Sequence, residues 1–572
     1  MSKFIYMHRT RLLLLFLFLI QQSFAQELEI RKTSDPYFEL VRPNYTGELA
    51  YNTVAFVEQY WRVAGNTGFN ESVYWIAEKL EEAGYILEEN AKETHRLTYR
   101  IERRKMNRPT WEPKGSELWI AGEESPLLSF ESNRNMIYQY SSSTSEEGVV
   151  GELLYVRDKS DLQGVDLNGK IVFSDTFGYR NLLPALNEGA LGLLIYDMPG
   201  YLKPEKNKTS IQFRGIRYQE EKPVWALALS YESKEALKKR YESGRTKVRV
   251  KVDTKIYESE ELTIIANIRG SEMPDESLVF SAHIQEPGAN DNASGVGAQL
   301  EMATLTAKLI DEEDLELNRT LTFLWGDEIR STQRYIEDKE RRKSEIIWGI
   351  SLDMVGENTD LTGGSFLIEK MPDPSAIWTR GEDKHSEWGG SVMKKDEMTP
   401  HYFNDFIINI FEQQGEYASW EVNTNPFEGG SDHIPFLYAD IPGLLLWHFT
   451  DQFYHTDQDR LDKVSQETLK NVATGALVSA FTLLNANVET ANQLAKLTLT
   501  KAKERLQTEF NLSMVSIQEG NDPNAEIEII KTWTDWYLGA LSSIDHLGST
   551  RTSAFQEELR QFSDGQINQL KK

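Results

Sequence analysis

Four apolar, strand-like segments of the chain are each followed by residue types that bind metal ions. These residues are, in chain order, His283, Asp291, Asp327, Glu328, Asp353 and His455. In open α/β sheets, ligands and metals bind beyond the carboxyl ends of the strands. Two imidazoles with three or four carboxylates suit two divalent ions, zinc above all. The order of these residues therefore predicts a two-metal site at one edge of a sheet.

Each of these motifs also has an ordinary structural interpretation. An isolated Asp-Glu pair usually faces solvent, and a single His beside Tyr usually packs against its neighbours. The segment 290–295, Asn-Asp-Asn-Ala-Ser-Gly, suits a turn followed by a helix N-cap. The ordinary interpretation needs five separate coincidences in one order, each beside a strand or its following loop. The pattern therefore favours the metal site.

The stretches around these residues resemble the co-catalytic zinc aminopeptidases, metallopeptidase family twenty-eight. They are SAHIQEPGANDNASGVGAQLE, FLWGDE, SLDMVGEN, GGSDHIPF and FYHTDQD, and the resemblance covers roughly residues 50–487. It implies two Zn²⁺ per chain as cofactors. The implied ligands are His283 and Asp353 for one ion, Glu328 and His455 for the other, and Asp291 as the bridge.

The resemblance also implies an activity, the hydrolysis of N-terminal residues from peptides through a metal-bound hydroxide. Three ligand carboxylates against four metal charges leave a net positive charge. That charge favours hydroxide, because metal binding lowers the pKa of water to about 7.

Two residues depart from the family pattern. Asp327 stands where the family has the Glu that serves as general base, so the same carboxylate sits on a shorter stem. We expect Asp327 to be the catalytic proton shuttle. Gln285 stands where the family has an Asp that orients His283, and its amide oxygen can still accept a hydrogen bond. Glu286 is an alternative partner for that imidazole.

Three further residues are candidates for contact with substrate. Tyr454 directly precedes the predicted ligand His455, and its hydroxyl could stabilise a tetrahedral oxyanion. Asp432 and His433 lie in a segment that resembles part of the family's substrate pocket. Structural packing is the competing interpretation for all three.

Composition excludes several classes of partner. The 572 residues carry a formal net charge of −27, which argues against nucleic acid and anionic membranes. The chain contains no cysteine, so no disulfide framework supports the fold. Peptides remain the expected partners, and the sequence leaves the oligomeric state open.

The N-terminus predicts a secretory signal peptide. Lys3, Arg9 and Arg11 precede the apolar run 12–20, and a cleavage site of small residues ends at Ala25. A retained anchor is the alternative, although nine apolar residues are too few to span a bilayer. We expect a secreted or periplasmic bacterial protein that leaves the membrane when the signal is removed.

The predicted fold class is α/β, with a mixed, mostly parallel sheet flanked by helices. A β-rich insertion resembles the protease-associated domain, and a helical extension closes the chain. The predicted domains are 1–25 signal peptide, 26–125 first part of the peptidase domain, 126–255 protease-associated domain, 256–487 zinc peptidase domain and 488–572 C-terminal extension.

Several functions compete with an aminopeptidase. A carboxypeptidase or dipeptidase would use the same scaffold, and the related glutaminyl cyclases transfer rather than hydrolyse, with one zinc. A non-catalytic binding protein that retains the fold is the candidate from another class. The complete ligand set favours hydrolysis, whereas the shortened side chain of Asp327 keeps the binding protein open.

Overall fold

The computed structural model describes residues 31–338, 342–390, 393–548 and 552–572. The predicted signal peptide lies outside these residues. Among the helices in the described ranges, none is apolar over a length sufficient to cross a membrane.

Sixteen strands occur in the described residues. They are β1 (Ile86–Leu87), β2 (Leu97–Lys105), β3 (Thr110–Ile120), β4 (Leu128–Ser129), β5 (Val149–Tyr155), β6 (Lys170–Ser174), β7 (Gly192–Ile195), β8 (Ala226–Ala228), β9 (Lys247–Tyr257), β10 (Glu260–Ile268), β11 (Met273–His283), β12 (Arg319–Gly326), β13 (Ile346–Leu352), β14 (Ser365–Glu369), β15 (Asn423–Asn425) and β16 (Gly443–Phe449). They form a nine-stranded sheet, in the order β1-β2-β10-β12-β11-β13-β16-β14-β15, and a seven-stranded sheet, in the order β4-β3-β9-β5-β6-β7-β8.

The helices of the same described ranges are α1 (31–44), α2 (Glu48–Val57), α3 (Thr67–Glu82), α4 (Tyr179–Asn187), α5 (Tyr231–Glu242), α6 (Ala293–Asp311), α7 (Arg330–Glu337), α8 (Arg342–Glu345), α9 (Thr359–Thr362), α10 (Phe403–Ala418), α11 (Ile434–Tyr438), α12 (Gln466–Leu484), α13 (Val488–Gln518), α14 (Pro523–Ser542) and α15 (Thr552–Leu570). The C-terminal extension is thus helical, as predicted.

Four parallel strands form the centre of the nine-stranded sheet. β11 pairs in parallel with β12 and with β13, and β13 pairs in parallel with β16. β12 is buried along its whole length, as expected for a parallel strand that helices cover on both faces. The carboxyl ends of these four strands therefore meet at one edge. The predicted class, a mixed and mostly parallel sheet flanked by helices, is confirmed.

Helices pack closely on this sheet and build one core with the C-terminal extension. A Cβ at Gly297 of α6 would overlap the carbonyl of Ala50 in α2, so the absence of a side chain permits the two helices to touch. Trp533 and Trp536 of α14 are 1% and 2% exposed and belong to the same apolar core as the sheet. The extension is therefore packed on the main body of the protein.

The seven-stranded sheet begins earlier than the sequence indicates. β3 pairs antiparallel with β9, from Thr110 opposite Tyr257 to Ile120 opposite Val248. The sheet therefore includes residues that precede the predicted limits 126–255. The sequence did not indicate this, because β3 belongs to the sheet only through its pairing with β9. This sheet has a separate apolar core. Its identity as a protease-associated domain stays a prediction.

Asp405 of α10 makes stability depend on pH. The residue is 8% exposed, its Oδ2 has no hydrogen-bond partner in the described ranges, and burial raises the pKa of Asp405 to about 7. An unfolded Asp ionises near 3.9, so stability is lost as the pH rises from about 4 to about 7, at roughly 1.4 kcal/mol per pKa unit. We expect Asp405→Asn to raise Tm at pH 8 and to raise it only about a third as much at pH 5, as measured by calorimetry.

The exposed Asp396→Asn substitution is the control, and it should shift Tm equally at both pH values. A pH-independent effect of Asp405→Asn would contradict the assignment.

Candidate metal centre

The structure places the predicted ligands at the shared edge of the four central strands. His283 is the last residue of β11, and Asp327 and Glu328 follow Gly326 at the end of β12. Asp353 follows β13, and His455 lies in the loop after β16. Residues up to 172 positions apart in sequence meet here because parallel strands end at the same edge.

One group of potential ligands contains His283, Glu328 and Asp353, whose ligand atoms all lie within 4.8 Å of one another. Nε2 of His283 is 3.2 Å from Oδ2 of Asp353. The hydroxyl of Ser431 donates a 2.8 Å hydrogen bond to Oδ2 of Asp353. These contacts hold the carboxylate with an oxygen toward the imidazole.

A second group contains Glu286, Asp291 and His455, again with all ligand atoms within 4.8 Å. Nε2 of His455 is 2.8 Å from Oδ2 of Asp291 and 3.0 Å from Oε2 of Glu286. The other oxygen of Asp291, Oδ1, is 3.8 Å from Nε2 of His283. Asp291 therefore lies between the two imidazoles, which is the position that a bridging ligand needs.

The grouping differs from the predicted one at two carboxylates. The resemblance pairs Glu328 with His455, whereas the structure groups Glu328 with His283. Glu286, which is not among the predicted ligands, lies beside His455 instead. The only sequence signal for Glu286 as a ligand is its position in the loop between the predicted ligands His283 and Asp291.

Backbone strain is concentrated at this edge. Glu286, Ile329, Met354 and His455 all have positive φ angles, of 79°, 63°, 54° and 60°. Side chains other than glycine rarely adopt this conformation, and it occurs preferentially where a functional site needs a particular side-chain direction. Each of the four is a potential ligand or directly follows one.

The donor set fits divalent metal ions. Nε2 of His283 and Oδ1 of Asp353 are buried without a hydrogen-bond partner in the described part of the chain. Burial, together with the Glu286 carboxylate, raises the pKa of Asp291 well above its ordinary value. Buried negative charge is costly unless a cation balances it, and zinc accepts both imidazole and carboxylate ligands.

Gln285 supports Glu328 rather than His283. Its Oε1 accepts a 2.6 Å hydrogen bond from the backbone N–H of Glu328, and its Nε2 donates to Oε2 of Glu328 over 3.1 Å. Nδ1 of His283 instead lies 3.2 Å from the backbone carbonyl of Gln285. The predicted hydrogen bond between the Gln285 amide oxygen and this imidazole is wrong, because both ends of the amide bond to Glu328 instead.

Asp459 is a supporting residue that the sequence reasoning missed. Its carboxylate accepts hydrogen bonds from the backbone N–H groups of Asn290 and Asp291, over 2.8 and 3.0 Å. A Cβ at Gly288 would overlap this carboxylate, so glycine is required for the close approach. Asp459 thus fixes the loop that presents Asp291.

Asp327 lies beside the ligand groups with 15% of its side chain exposed. Its backbone N–H donates to the Ser331 hydroxyl over 2.8 Å. Burial and the nearby Glu261 carboxylate raise the pKa of Asp327 to about 6. Nε of Arg330 is 3.9 Å from its Oδ2 and acts in the opposite direction.

The three predicted substrate-contact residues differ in position. Tyr454 stacks on the His455 ring at a centroid distance of 3.8 Å and lines a cavity beside the ligands. Asp432 is 2% exposed and accepts a 2.6 Å hydrogen bond from the backbone N–H of Ile329. His433 is fully buried, with Nε2 3.0 Å from Oε1 of Glu369. Both side chains are buried. Their contact with substrate stays a prediction.

Two cavities open onto the ligand groups, and Glu286 and Glu328 line both. One, of about 250 Å³, contains most of the potential ligands, and the rest of its lining is mainly apolar and aromatic, including Met354, Trp388, Leu445, Trp447 and Tyr454. The other, of about 230 Å³, is lined by Asp327 and by polar, basic and aromatic side chains that include Arg108, Gln139, Tyr140, Phe213 and Arg330. The ligand groups therefore lie between two chambers of different character.

The seven-stranded sheet supplies part of the wall. Phe213, in the connection between β7 and β8, stacks on the His455 ring at 4.4 Å, and its N–H donates to the His455 carbonyl over 2.9 Å. Asn135 donates to the same carbonyl. The second sheet thus holds the loop that carries one potential ligand.

Comparison with known proteins agrees with this geometry. Residues 263–480, which include every residue of both ligand groups, match the model of Peptidase family M28. Aminopeptidase YwaD of Bacillus subtilis is 24% identical over 369 residues, which cover 59% of this chain and 68% of the relative. An aminopeptidase of Pseudomonas aeruginosa is 29% identical over 140 residues, covering 22% of this chain and 25% of that protein.

Solved structures share the fold. The peptidase M28 precursor from Shewanella amazonensis gives a TM-score of 0.56 at 18% identity, over 81% of this chain and 98% of that one. BSAP, a zinc aminopeptidase from Bacillus subtilis, gives a TM-score of 0.52 at 17% identity, over 76% of this chain and 94% of that one. The resemblance inferred from the motifs is thereby confirmed.

Removal of the Gln285 side chain tests the clamp on Glu328. We expect Gln285→Ala to weaken zinc binding by about 10- to 100-fold, the usual effect of losing a residue that orients a ligand. Titration of the zinc-loaded protein with a chelator measures the change. Gln163→Ala, at an exposed position in the connection between β5 and β6, is the control. An unaltered zinc affinity in Gln285→Ala would show that Glu328 needs no such support.

Proposed function

We propose that this chain, which belongs to peptidase family M28 through its residues 263–480, is a secreted aminopeptidase that removes N-terminal residues from peptides. The observation that carries the proposal is the meeting of two imidazoles and four carboxylates at one strand edge, with Asp327 beside them. The relatives named aminopeptidases support N-terminal cleavage. The basic and apolar segment within residues 1–25 supports secretion.

The ligand set supports the binding of two zinc ions. His283, Glu328 and Asp353 would hold one ion, and Glu286 and His455 would hold the other, with Asp291 between them. Bound zinc supplies Lewis acidity and lowers the pKa of water, which provides the nucleophile for hydrolysis.

Asp327 has the proton-transfer role. A carboxylate oxygen of Asp327 takes the proton from the attacking water and returns it to the nitrogen of the leaving amine. Its position suits this role, because Asp327 directly precedes the potential ligand Glu328 and lines a cavity with it. Tyr454 lines the other cavity, and its hydroxyl is our candidate donor of a hydrogen bond to the developing oxyanion.

The apolar cavity supports cleavage of a single N-terminal residue. Its volume of about 250 Å³ has room for one large side chain. The carboxylates that line it, including Glu286 and Glu328, favour a free α-ammonium group over an acetamide. A carboxypeptidase or dipeptidase would use the same ligand set, and a binding protein would need none of the proton transfer.

A blocked substrate tests the direction of cleavage. The zinc-loaded protein should hydrolyse Leu-Ala-amide and leave N-acetyl-Leu-Ala-amide intact, because only the first carries the ammonium group. Product analysis by chromatography measures both rates, with chelator-treated protein as the blank. Equal rates would replace the aminopeptidase by an endopeptidase. No hydrolysis of either peptide by protein that retains its zinc would rule out the aminopeptidase and leave a carboxypeptidase, a dipeptidase or the binding protein.

Asp327→Asn tests the proton shuttle. The substitution keeps the shape and removes the base, so we expect kcat to fall by about 10²- to 10⁴-fold while zinc content and KM change little. Steady-state kinetics and elemental analysis measure these quantities. Asp327→Glu keeps the carboxylate on the family's longer stem and should retain activity. Full activity of the Asn variant would mean that another group moves the proton.

A further inference from the structure

Two arginines line the more polar cavity with unused hydrogen-bond donors. The Arg108 guanidinium lies 4.7 Å from the Tyr140 ring centroid, and Nε of Arg330 lies 3.9 Å from Oδ2 of Asp327. In the described ranges neither guanidinium donates a hydrogen bond, and both side chains are exposed. Five donors on each planar group remain available to a ligand.

The neighbouring Arg62 shows the contrasting case. Its guanidinium is buried and donates to the backbone carbonyls of Ile284, Val57 and Gly288, over 2.7 to 2.8 Å. The Arg62 donors are therefore occupied by structural hydrogen bonds and are not available to a ligand. Arg108 and Arg330 are held at the cavity without such structural bonds.

The position of Asp327 assigns a direction to the two cavities. Asp327 lines the arginine cavity and does not line the apolar one. The proposed function needs this carboxylate to reach the leaving nitrogen. The leaving part of the peptide therefore lies in the arginine cavity, and the N-terminal side chain lies in the apolar cavity.

We propose that Arg108 and Arg330 form a carboxylate-binding subsite for the residue that follows the cleaved bond, a proposal that rests on the proposed function. The ligand chemistry is a carboxylate, either the α-carboxylate of a dipeptide or the side chain of an acidic second residue. Guanidinium groups bind carboxylates with paired, charge-assisted hydrogen bonds. The cavity walls exclude part of the solvent and so strengthen this attraction.

The two arginines also counter the repulsion between this acidic protein and an acidic peptide. The chain has a net charge of −27, so an acidic peptide approaches against a repulsive field. Arg108 and Arg330 add positive charge to the wall of the leaving-group cavity. The protein is thereby suited to short peptides with a negative charge directly after the N-terminal residue.

Four peptides test the subsite and separate the two sources of the carboxylate. Leu-Glu-amide against Leu-Gln-amide isolates an acidic side chain, and Leu-Ala against Leu-Ala-amide isolates the α-carboxylate. In at least one pair, we expect the charged peptide to have a kcat/KM about tenfold higher, the effect of one charge-assisted hydrogen bond. The double variant Arg108→Gln, Arg330→Gln should bring that ratio close to one.

The ratio is the informative quantity, because Arg330 also faces Asp327 and a change there acts on both members of a pair. Arg180→Gln, an exposed position on α4, is the matched control and should leave the ratio as in the wild type. A wild-type ratio near one in both pairs overturns the proposal, and so does a ratio that survives the double substitution.

Failure of the proposed function gives a different result. If none of the four peptides is cleaved, titration calorimetry with the same two pairs still decides the subsite. In at least one pair we expect the wild type to bind the charged peptide several-fold more tightly, and the double variant to bind both members of that pair equally. Equal binding by the wild type within both pairs would overturn the subsite independently of catalysis.

Discussion

Burial of negative charge at the ends of four parallel strands is the constraint around which this protein is built. Asp291, Glu328 and Asp353 lie within one small volume with two imidazoles, and Glu286 joins them from a loop. Carboxylates packed in this way repel one another and lose their hydration, so they need a balancing cation and fixed donors. The donor types present are those that zinc accepts.

Much of the surrounding structure serves to hold these carboxylates in place. Gln285 clamps Glu328 across two strands, Ser431 donates to Asp353, and Asp459 fixes the backbone before Asp291. Groups outside the ligand set thus orient Glu328, Asp353 and the backbone of Asp291, which is the usual arrangement around protein metal sites. The absence of a side chain at Gly288 admits Asp459 to that backbone.

The second sheet makes the centre asymmetric. The ring of Phe213 packs against His455, and the same segment borders the cavity that also contains Asp327. The opposite cavity is enclosed by aromatic and aliphatic side chains from the main sheet and its loops. A ligand that spans the centre therefore meets an apolar wall on one side and charged groups on the other. This difference gives the site a direction along a bound peptide.

The sequence by itself determined the fold class, the order of the ligand-bearing strands and five potential metal ligands. Those features are local, because each ligand ends or follows an apolar run that forms a buried strand whatever its neighbours are. The tertiary structure decided which carboxylates share a group, the use of Gln285 on Glu328 and the entry of β3 into the second sheet. It also brought Arg108 to a site whose first ligand is 175 residues further along the chain. These outcomes depend on which strands pair and where loops cross, and long-range packing sets that geometry without leaving a pattern in the local sequence.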